Sequence, residues 1–229
     1  YSDKLSKFVF RCNEKTEGWV IDRMSKIYSH IFVDEVQDLA GYDLELLKHL
    51  FDSNSNVLLV GDPRQGTYST NTAPKNKKYR KANIEKYFFE DDSIQIETDR
   101  TSLQINYRSN AEICNLSNKL FPNMVATTSG NQTTTGHDGV FFVKKSEIAS
   151  YLNKFEPVQL RDTKRTEVHT GYSVMNFGES KGLSFDRVLI YPTKPFLGWL
   201  NNNNSELAET SRSKIYVAIT RARYSVGIV

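Results

Sequence analysis

The sequence IFVDEVQD at residues 31–38 begins with three apolar residues. Four of the next five residues are polar, and three of those four are acidic. A short apolar run of this kind is typical of a buried strand in a parallel sheet. Open α/β sheets bind ligands beyond the carboxyl ends of their strands, which is where Asp34 and Glu35 stand. Asp34 could hold Mg²⁺, usually through water, and Glu35 could orient or deprotonate a water that attacks a phosphate. A strand that ends in a solvated acidic turn remains the alternative for this stretch alone.

Four further stretches follow along the chain. They are VLLVGDPRQ at 57–65, NYRS at 106–109, GESKGLSF at 178–185 and YVAITRAR at 216–223. Together with residues 31–38, and in this order, they resemble the motifs of superfamily 1 helicases of the UvrD/Rep/PcrA type. The resemblance extends over about residues 25 to 229. Five ordered motifs in one chain are a specific signal, whereas any one of them alone would be weak.

The resemblance implies an α/β fold with two RecA-like domains, each a parallel sheet flanked by helices. We expect residues 1–103 to be the C-terminal part of the first, ATP-binding domain and residues 104–229 to be a complete second domain. Between Arg108 and Gly178 there are only 70 positions. The large helical insertion that UvrD-like helicases carry between these motifs is therefore expected to be absent.

The resemblance also implies ATP and Mg²⁺ as cofactors and assigns roles around the terminal phosphate. Asp34 would hold Mg²⁺ and Glu35 would act as the base. Gln65 would contact the terminal phosphate or the attacking water, although a polar loop residue is the alternative. Arg108 and Arg221 would reach the terminal phosphate as cationic groups that stabilise developing charge.

The resemblance implies further contacts to the nucleotide. Tyr107 matches the aromatic residue that stacks on adenine, and Lys181 and Gly182 match a Lys-Gly pair that lets the backbone approach the nucleotide. Ser184 stands where the family usually has a glutamate that contacts the nucleotide sugar. We expect all four to bind the cofactor. Between Tyr107 and Lys181, Ser109 and Glu112 fit a capping box that would start a helix.

The expected partner is single-stranded DNA, with RNA as the alternative, and any protein partner is unknown. Tyr68 matches a family tyrosine, but Thr70 replaces the aromatic residue that stacks on a base, a contact worth about 1–3 kcal/mol. Lys77, Lys78 and Arg80 lie in a basic stretch with interleaved aromatics that could contact phosphates. A solvated charged face is the alternative for that stretch.

No G-x-x-x-x-G-K-[S/T] loop occurs in the sequence, although such a loop cradles the phosphates of ATP in this class of enzyme. We expect an N-terminal segment with this loop to be missing, and residues 1–229 alone to bind ATP poorly and to be nearly inactive. The first alternative is a non-catalytic nucleic-acid-binding or regulatory module on a helicase-like scaffold. The second is an ATP-driven switch that acts on a protein partner.

Composition excludes several other classes of protein. The net charge of +3 and the pI of about 8.7 are compatible with nucleic acid without requiring it. The two cysteines, Cys12 and Cys114, have neither disulfide-framework nor zinc-site spacing. No apolar run approaches the about 20 residues of a membrane helix, so we expect a cytoplasmic protein without a membrane partner. Ser205 is expected to cap the last helix.

Overall fold

A computed structural model describes residues 2–202 and 206–229 and divides the chain into two compact units. The first unit ends at Glu97, and the second is Thr98–Val229. The expected cap at Ser205 lies outside the described residues. No helix in the described ranges is long and apolar enough to cross a membrane. The assignment of residues 1–103 and 104–229 to two RecA-like domains stays a prediction.

The first unit contains a two-stranded parallel sheet that carries the acidic motif. Its elements are α1 (Ser2–Lys15), α2 (Trp19–Ile27), β1 (His30–Val33), α3 (Tyr42–Phe51), β2 (Asn56–Leu59) and α4 (Ile84–Glu90). β1 and β2 run in register from His30 opposite Asn56 to Val33 opposite Leu59. Both strands therefore end side by side, β1 directly before Asp34 and β2 three residues before Asp62.

Packing of α3 and α4 stabilises this first unit. Leu44 and Leu47 lie one helical turn apart on α3 and are both buried, as expected for apolar residues that recur at helical spacing. They join Ile84, Tyr87 and Phe88 of α4 in one hydrophobic cluster. The Tyr87 hydroxyl donates to the Leu44 carbonyl oxygen at 2.8 Å, so the one polar group in this contact has a partner.

The second unit is built around a five-stranded parallel sheet. Its elements are β3 (Ile105–Asn106), α5 (Ala111–Leu120), β4 (Thr128–Ser129), β5 (Gly139–Phe142), α6 (Ile148–Phe155), β6 (Val158–Arg161), β7 (Val174–Asn176), β8 (Phe185–Ile190), α7 (Lys194–Asn201), α8 (Glu209–Ile219) and β9 (Ala222–Ile228). The strand order is β5-β9-β8-β6-β7, and β3 and β4 form a separate parallel pair. Parallel sheets covered by helices confirm the predicted α/β class.

The apolar sequences of the central strand and the last helix explain the core of the second unit. Residues 188–190 of β8 are all fully buried, so both faces of the sheet are covered, as in a central parallel strand. Residues 215–219 of α8 are also all buried. Five consecutive residues point to every side of a helix, so the C-terminal half of α8 is buried all round. α8 brings Thr220 and Arg221 to the start of β9.

Candidate active site

The acidic motif forms a tight turn at the end of β1. The Val60 amide donates to the Val33 carbonyl oxygen at 2.8 Å, and the Val36 amide donates to the Val60 carbonyl oxygen at 3.1 Å. Between these two ladder contacts, Glu35 has φ 52° and ψ 41°, in the left-handed region. A 3₁₀ turn at Val36–Asp38 follows, and its Asp38 amide donates to the Glu35 carbonyl oxygen at 2.8 Å. A non-glycine residue in this region is uncommon and concentrates at functional sites.

Asp34 is suited to a hard cation. Its side chain is exposed, and its Oδ1 accepts the Glu35 amide at 2.7 Å. Among the described residues, no group of three or more His, Cys, Asp or Glu side chains could hold a metal. Mg²⁺ commonly binds through one or two carboxylates, water and substrate phosphates, so a single carboxylate fits a nucleotide-bound Mg²⁺.

A chain of hydrogen bonds joins Glu35 to Gln65. Gln37 is fully buried, and its Nε2 donates to the Glu35 Oε2. Its Oε1 accepts the Asp62 amide at 3.0 Å. The Asp62 Oδ2 in turn accepts from the Gln65 Nε2 at 3.2 Å. The two predicted catalytic residues of the first unit are thus brought into one hydrogen-bonded network.

The roles of Gln37 and Asp62 were not predicted from the sequence. The spacing D-E-x-Q offers one signal, because a residue two positions after a left-handed turn can fold its side chain back onto that turn. Gly61 is needed for the same packing. A Cβ at Gly61 would lie 2.5 Å from the Gln37 Oε1 and 2.7 Å from the Val36 Cγ1, closer than real contacts allow.

The two predicted arginines of the second unit meet at Thr220. The Arg108 Nη1 donates to the Thr220 carbonyl oxygen at 3.2 Å, and the Arg221 Nη2 donates to the Thr220 Oγ1 at 3.1 Å. Burial lowers the pKa of Arg108, and the nearby Arg223 adds to this decrease. A guanidinium keeps its charge despite such a decrease, so a cationic pair surrounds Thr220.

Arg221 is held firmly by its own unit. It is only 2% exposed. Its Nε donates to the Val217 carbonyl oxygen at 3.1 Å, and its Nη1 donates to the Leu183 carbonyl oxygen at 3.3 Å. The carbonyl of Leu183 belongs to the loop that carries Lys181, Gly182 and Ser184. Arg221 therefore fixes the position of the predicted nucleotide-contacting loop.

The predicted nucleotide-contacting residues lie on two loops of the second unit. Tyr107 is 77% exposed and presents its ring at the surface. Gly182 has φ +80°, a conformation that glycine adopts without strain, and Lys181 and Ser184 on either side are half-buried.

The residues predicted to contact nucleic acid differ in their exposure and in their contacts within the first unit. Tyr68 and Lys77 are exposed. Lys78 pairs with Glu90 at 3.0 Å, and the Arg80 Nη2 donates to the Ala73 carbonyl oxygen. Thr70 is half-buried and contacts residues of the acidic turn and of α3.

Comparison with known proteins identifies the family. The model of the viral superfamily 1 RNA helicase core domain matches residues 5–229. The chain belongs to this helicase family. The predicted resemblance to superfamily 1 helicases is thereby confirmed.

Curated relatives of this helicase core are bacterial enzymes. It is 30% identical over 122 residues to DNA helicase II of Haemophilus influenzae, a match that covers 52% of this chain and 15% of that protein. It is 36% identical over 109 residues to ATP-dependent DNA helicase Rep of Buchnera aphidicola, covering 48% and 15% respectively. It is 32% identical over 106 residues to RecB of the RecBCD enzyme of Borreliella burgdorferi, covering 46% and 8%. The helicase core thus spans between 8% and 15% of the length of these relatives.

Two solved structures with a similar fold are viral. Arterivirus nonstructural protein 10, a helicase, is 19% identical and has a TM-score of 0.52, covering 86% of this chain and 38% of that one. The same protein in complex with DNA is 19% identical and has a TM-score of 0.51, covering 87% and 39%. At this identity the likeness concerns the fold, which is RecA-like, with parallel sheets flanked by helices. Use of a nucleotide is implied by membership of the helicase family.

Proposed function

We propose that this helicase core serves an ATP-dependent motor that moves on single-stranded nucleic acid. The observation that carries the proposal is the network from Glu35 through Gln37 and Asp62 to Gln65 at the ends of two parallel strands. It links a carboxylate suited to proton abstraction with an amide suited to sensing a phosphate or water. Such a linkage has little value in a chain that only binds.

Each proposed role follows from the chemistry of the side chain. Glu35 orients or deprotonates the attacking water, and Gln65 contacts that water or the terminal phosphate. Asp34 holds Mg²⁺, which neutralises charge on the phosphates when bound. Arg108 and Arg221 supply positive charge for the transferred phosphoryl group.

Binding of the nucleotide base and sugar is assigned to the second unit. Tyr107, exposed at the surface, stacks on adenine, and the Lys181–Ser184 loop contacts the sugar or phosphates. Residues 1–229 contain no phosphate-cradling Gly-Lys-Ser/Thr loop, so we propose that they turn over ATP poorly by themselves. The assignment of residues 1–103 and 104–229 to two RecA-like domains belongs to the same proposal.

Single-stranded DNA is the proposed track, with RNA as the alternative. Tyr68 and Lys77 are exposed and can stack on a base and neutralise a phosphate. Relatives named DNA helicases and a family model named for RNA helicases support nucleic acid in general.

A non-catalytic scaffold is the second candidate, and the burial of Arg221 favours it. Three donors of that guanidinium bind partners within its own unit. A cation that serves only to fix a loop needs no phosphate, so this contact would also suit a helicase-like frame without hydrolysis.

Steady-state ATP turnover by the full-length protein separates the two candidates. It is measured with no nucleic acid, with single-stranded DNA and with single-stranded RNA, in wild type, Glu35→Gln and Glu97→Gln. Glu97 is an exposed residue of the first unit, and its variant makes the same change in charge. The motor predicts stimulated turnover that Glu35→Gln abolishes and Glu97→Gln preserves. Turnover that is absent, or equal in Glu35→Gln and wild type, establishes the scaffold instead.

A further inference from the structure

Thr70 is bound to the acidic turn and does not point freely into solvent. Its backbone amide donates to the Asp38 carbonyl oxygen at 2.8 Å. Its hydroxyl lies 3.0 Å from the same oxygen and also contacts the Asp43 carboxylate. Because a hydroxyl has one hydrogen, it is shared between these two acceptors. Thr70 stands where the family has a base-stacking aromatic residue. Here its hydrogen bonds join the acidic turn to α3.

The residues after Thr70 continue this attachment along the first turn of α3. Asn71 is buried against Gly41, where a Cβ would lie 2.7 Å from the Asn71 Cγ. The Asn76 Nδ2 donates to the Gly41 carbonyl oxygen at 3.0 Å and to the Glu45 Oε1 at 2.8 Å. Residues 70–76, hereafter the 70–76 segment, are thus fixed to the start of α3 at both ends.

The carbonyl that Thr70 binds belongs to the turn that positions Glu35. The Asp38 amide donates to the Glu35 carbonyl oxygen, so two successive hydrogen bonds lead from Thr70 to the backbone of Glu35. Glu35 has a left-handed conformation, which a non-glycine residue keeps only when its surroundings over-determine it. The 70–76 segment supplies part of that restraint from outside the turn.

We infer that Thr70 is a positioning residue for the acidic turn and not a contact to nucleic acid. The inference rests on the proposed function, because it assigns to Thr70 an effect on ATP hydrolysis through Glu35. Loss of the hydroxyl leaves the fold of the first unit in place but lets the turn relax. Since small misplacements of a catalytic group cost rate and not substrate affinity, the effect appears in kcat.

Two matched variants test this inference in the full-length protein. Thr70→Val keeps the branched shape and removes the hydroxyl, whereas Thr70→Ser keeps the hydroxyl. With single-stranded DNA present, we expect kcat for ATP to fall about 10-fold in Thr70→Val and to stay near wild type in Thr70→Ser. The KM for ATP and the Kd for the DNA are expected to stay within about twofold in both.

Asp43→Ala serves as a second variant in case Thr70→Val does not fold. It removes the carboxylate that anchors Thr70 to α3 and leaves the bond to the Asp38 carbonyl, so Thr70 restrains the turn less and a smaller decrease of kcat is expected. Hydrogen exchange of the amides of residues 36–38 gives a measurement independent of turnover. It should accelerate in Thr70→Val and not in Thr70→Ser.

The outcomes distinguish the inference from the proposed function. A weaker Kd for DNA with unchanged kcat in Thr70→Val overturns the inference and makes Thr70 a nucleic-acid contact. Unchanged kcat, Kd and hydrogen exchange overturn it as well, while wild-type turnover leaves the motor intact. A wild-type protein without turnover overturns the motor and, with it, any role of Thr70 in hydrolysis, even where the exchange of residues 36–38 changes.

Discussion

Replacing Gln37 by methionine should uncouple Glu35 from Gln65 while keeping the volume of the side chain. Gln37 is fully buried and makes one hydrogen bond in each direction, to the Glu35 carboxylate and from the Asp62 amide. Methionine has a similar length and can make neither. At about 0.5–1.5 kcal/mol for each hydrogen bond, the loss of two costs about 1–3 kcal/mol of folding free energy.

The same change should also lower kcat. With Glu35 free to rotate away from the water that we propose it orients, we expect turnover in the presence of single-stranded DNA to fall about 100-fold. The KM for ATP should change little, because the lost contacts do not touch the substrate in the ground state. Circular dichroism melting of the full-length protein checks that the variant is folded.

Gln132→Met provides the matched control. Gln132 is exposed in the second unit, and its replacement should leave both melting and turnover at the wild-type level. Folded Gln37→Met with kcat within about twofold of wild type would refute the coupling of Glu35 and Gln65 through Gln37.

Three further predictions concern the first unit. Gly61→Ala should lower both the melting temperature and turnover, because its Cβ would lie 2.5 Å from the Gln37 Oε1. Melting and ATPase measurements check this prediction, and an unchanged kcat would contradict it. Lys77→Ala should weaken DNA binding and reduce the slope of log K against log salt by about 1, whereas an unchanged slope in a salt titration would show a solvated side chain. Hydrogen bonds from Lys48 and Ser93 lower the pKa of Asp91 to about 2 from its ordinary value of 3.8. A carboxyl group whose pKa is lower in the folded state stabilises the fold at pH values above its unfolded-state pKa. The melting temperature should therefore fall as the pH is lowered from about 4 to about 2. The decrease should be smaller in Lys48→Met.

Local sequence patterns indicate helices and strands well where the buried residues recur at one regular spacing. The leucines of residues 42–51 recur at helical spacing, which is typical of a helix such as α3. The apolar run that begins at Val57 is typical of a strand, and the structure places β2 at Asn56–Leu59. Both patterns report which face of an element is covered, and this information is local.

The start of α5 shows where local reasoning was wrong. The spacing of Ser109 and Glu112 predicted a capping box, but the cap is Asn110, whose side chain accepts the Ile113 amide. The Ser109 hydroxyl instead donates to the Ala222 carbonyl oxygen, and Glu112 accepts the Val140 amide. Both side chains have partners far away in the sequence, which a local pattern does not contain.

The candidate site was predicted residue by residue, but its connections were not. Glu35 and Gln65 each stand in a recognisable motif, whereas the path through Gln37 and Asp62 exists only because β1 and β2 pair in register. Thr70 shows the same limit. The sequence reveals that an aromatic residue is missing there, and only the structure shows what the threonine binds instead.

Translocation along single-stranded DNA tests the motor most directly. The full-length protein is mixed with ATP and with strands of increasing length that carry a fluorophore at one end, and the time until the protein reaches the fluorophore is measured by stopped flow. A motor predicts a lag that grows in proportion to strand length in wild type and is absent in Glu35→Gln. A lag that is independent of length, although ATP is hydrolysed, would contradict movement and leave an ATP-driven switch.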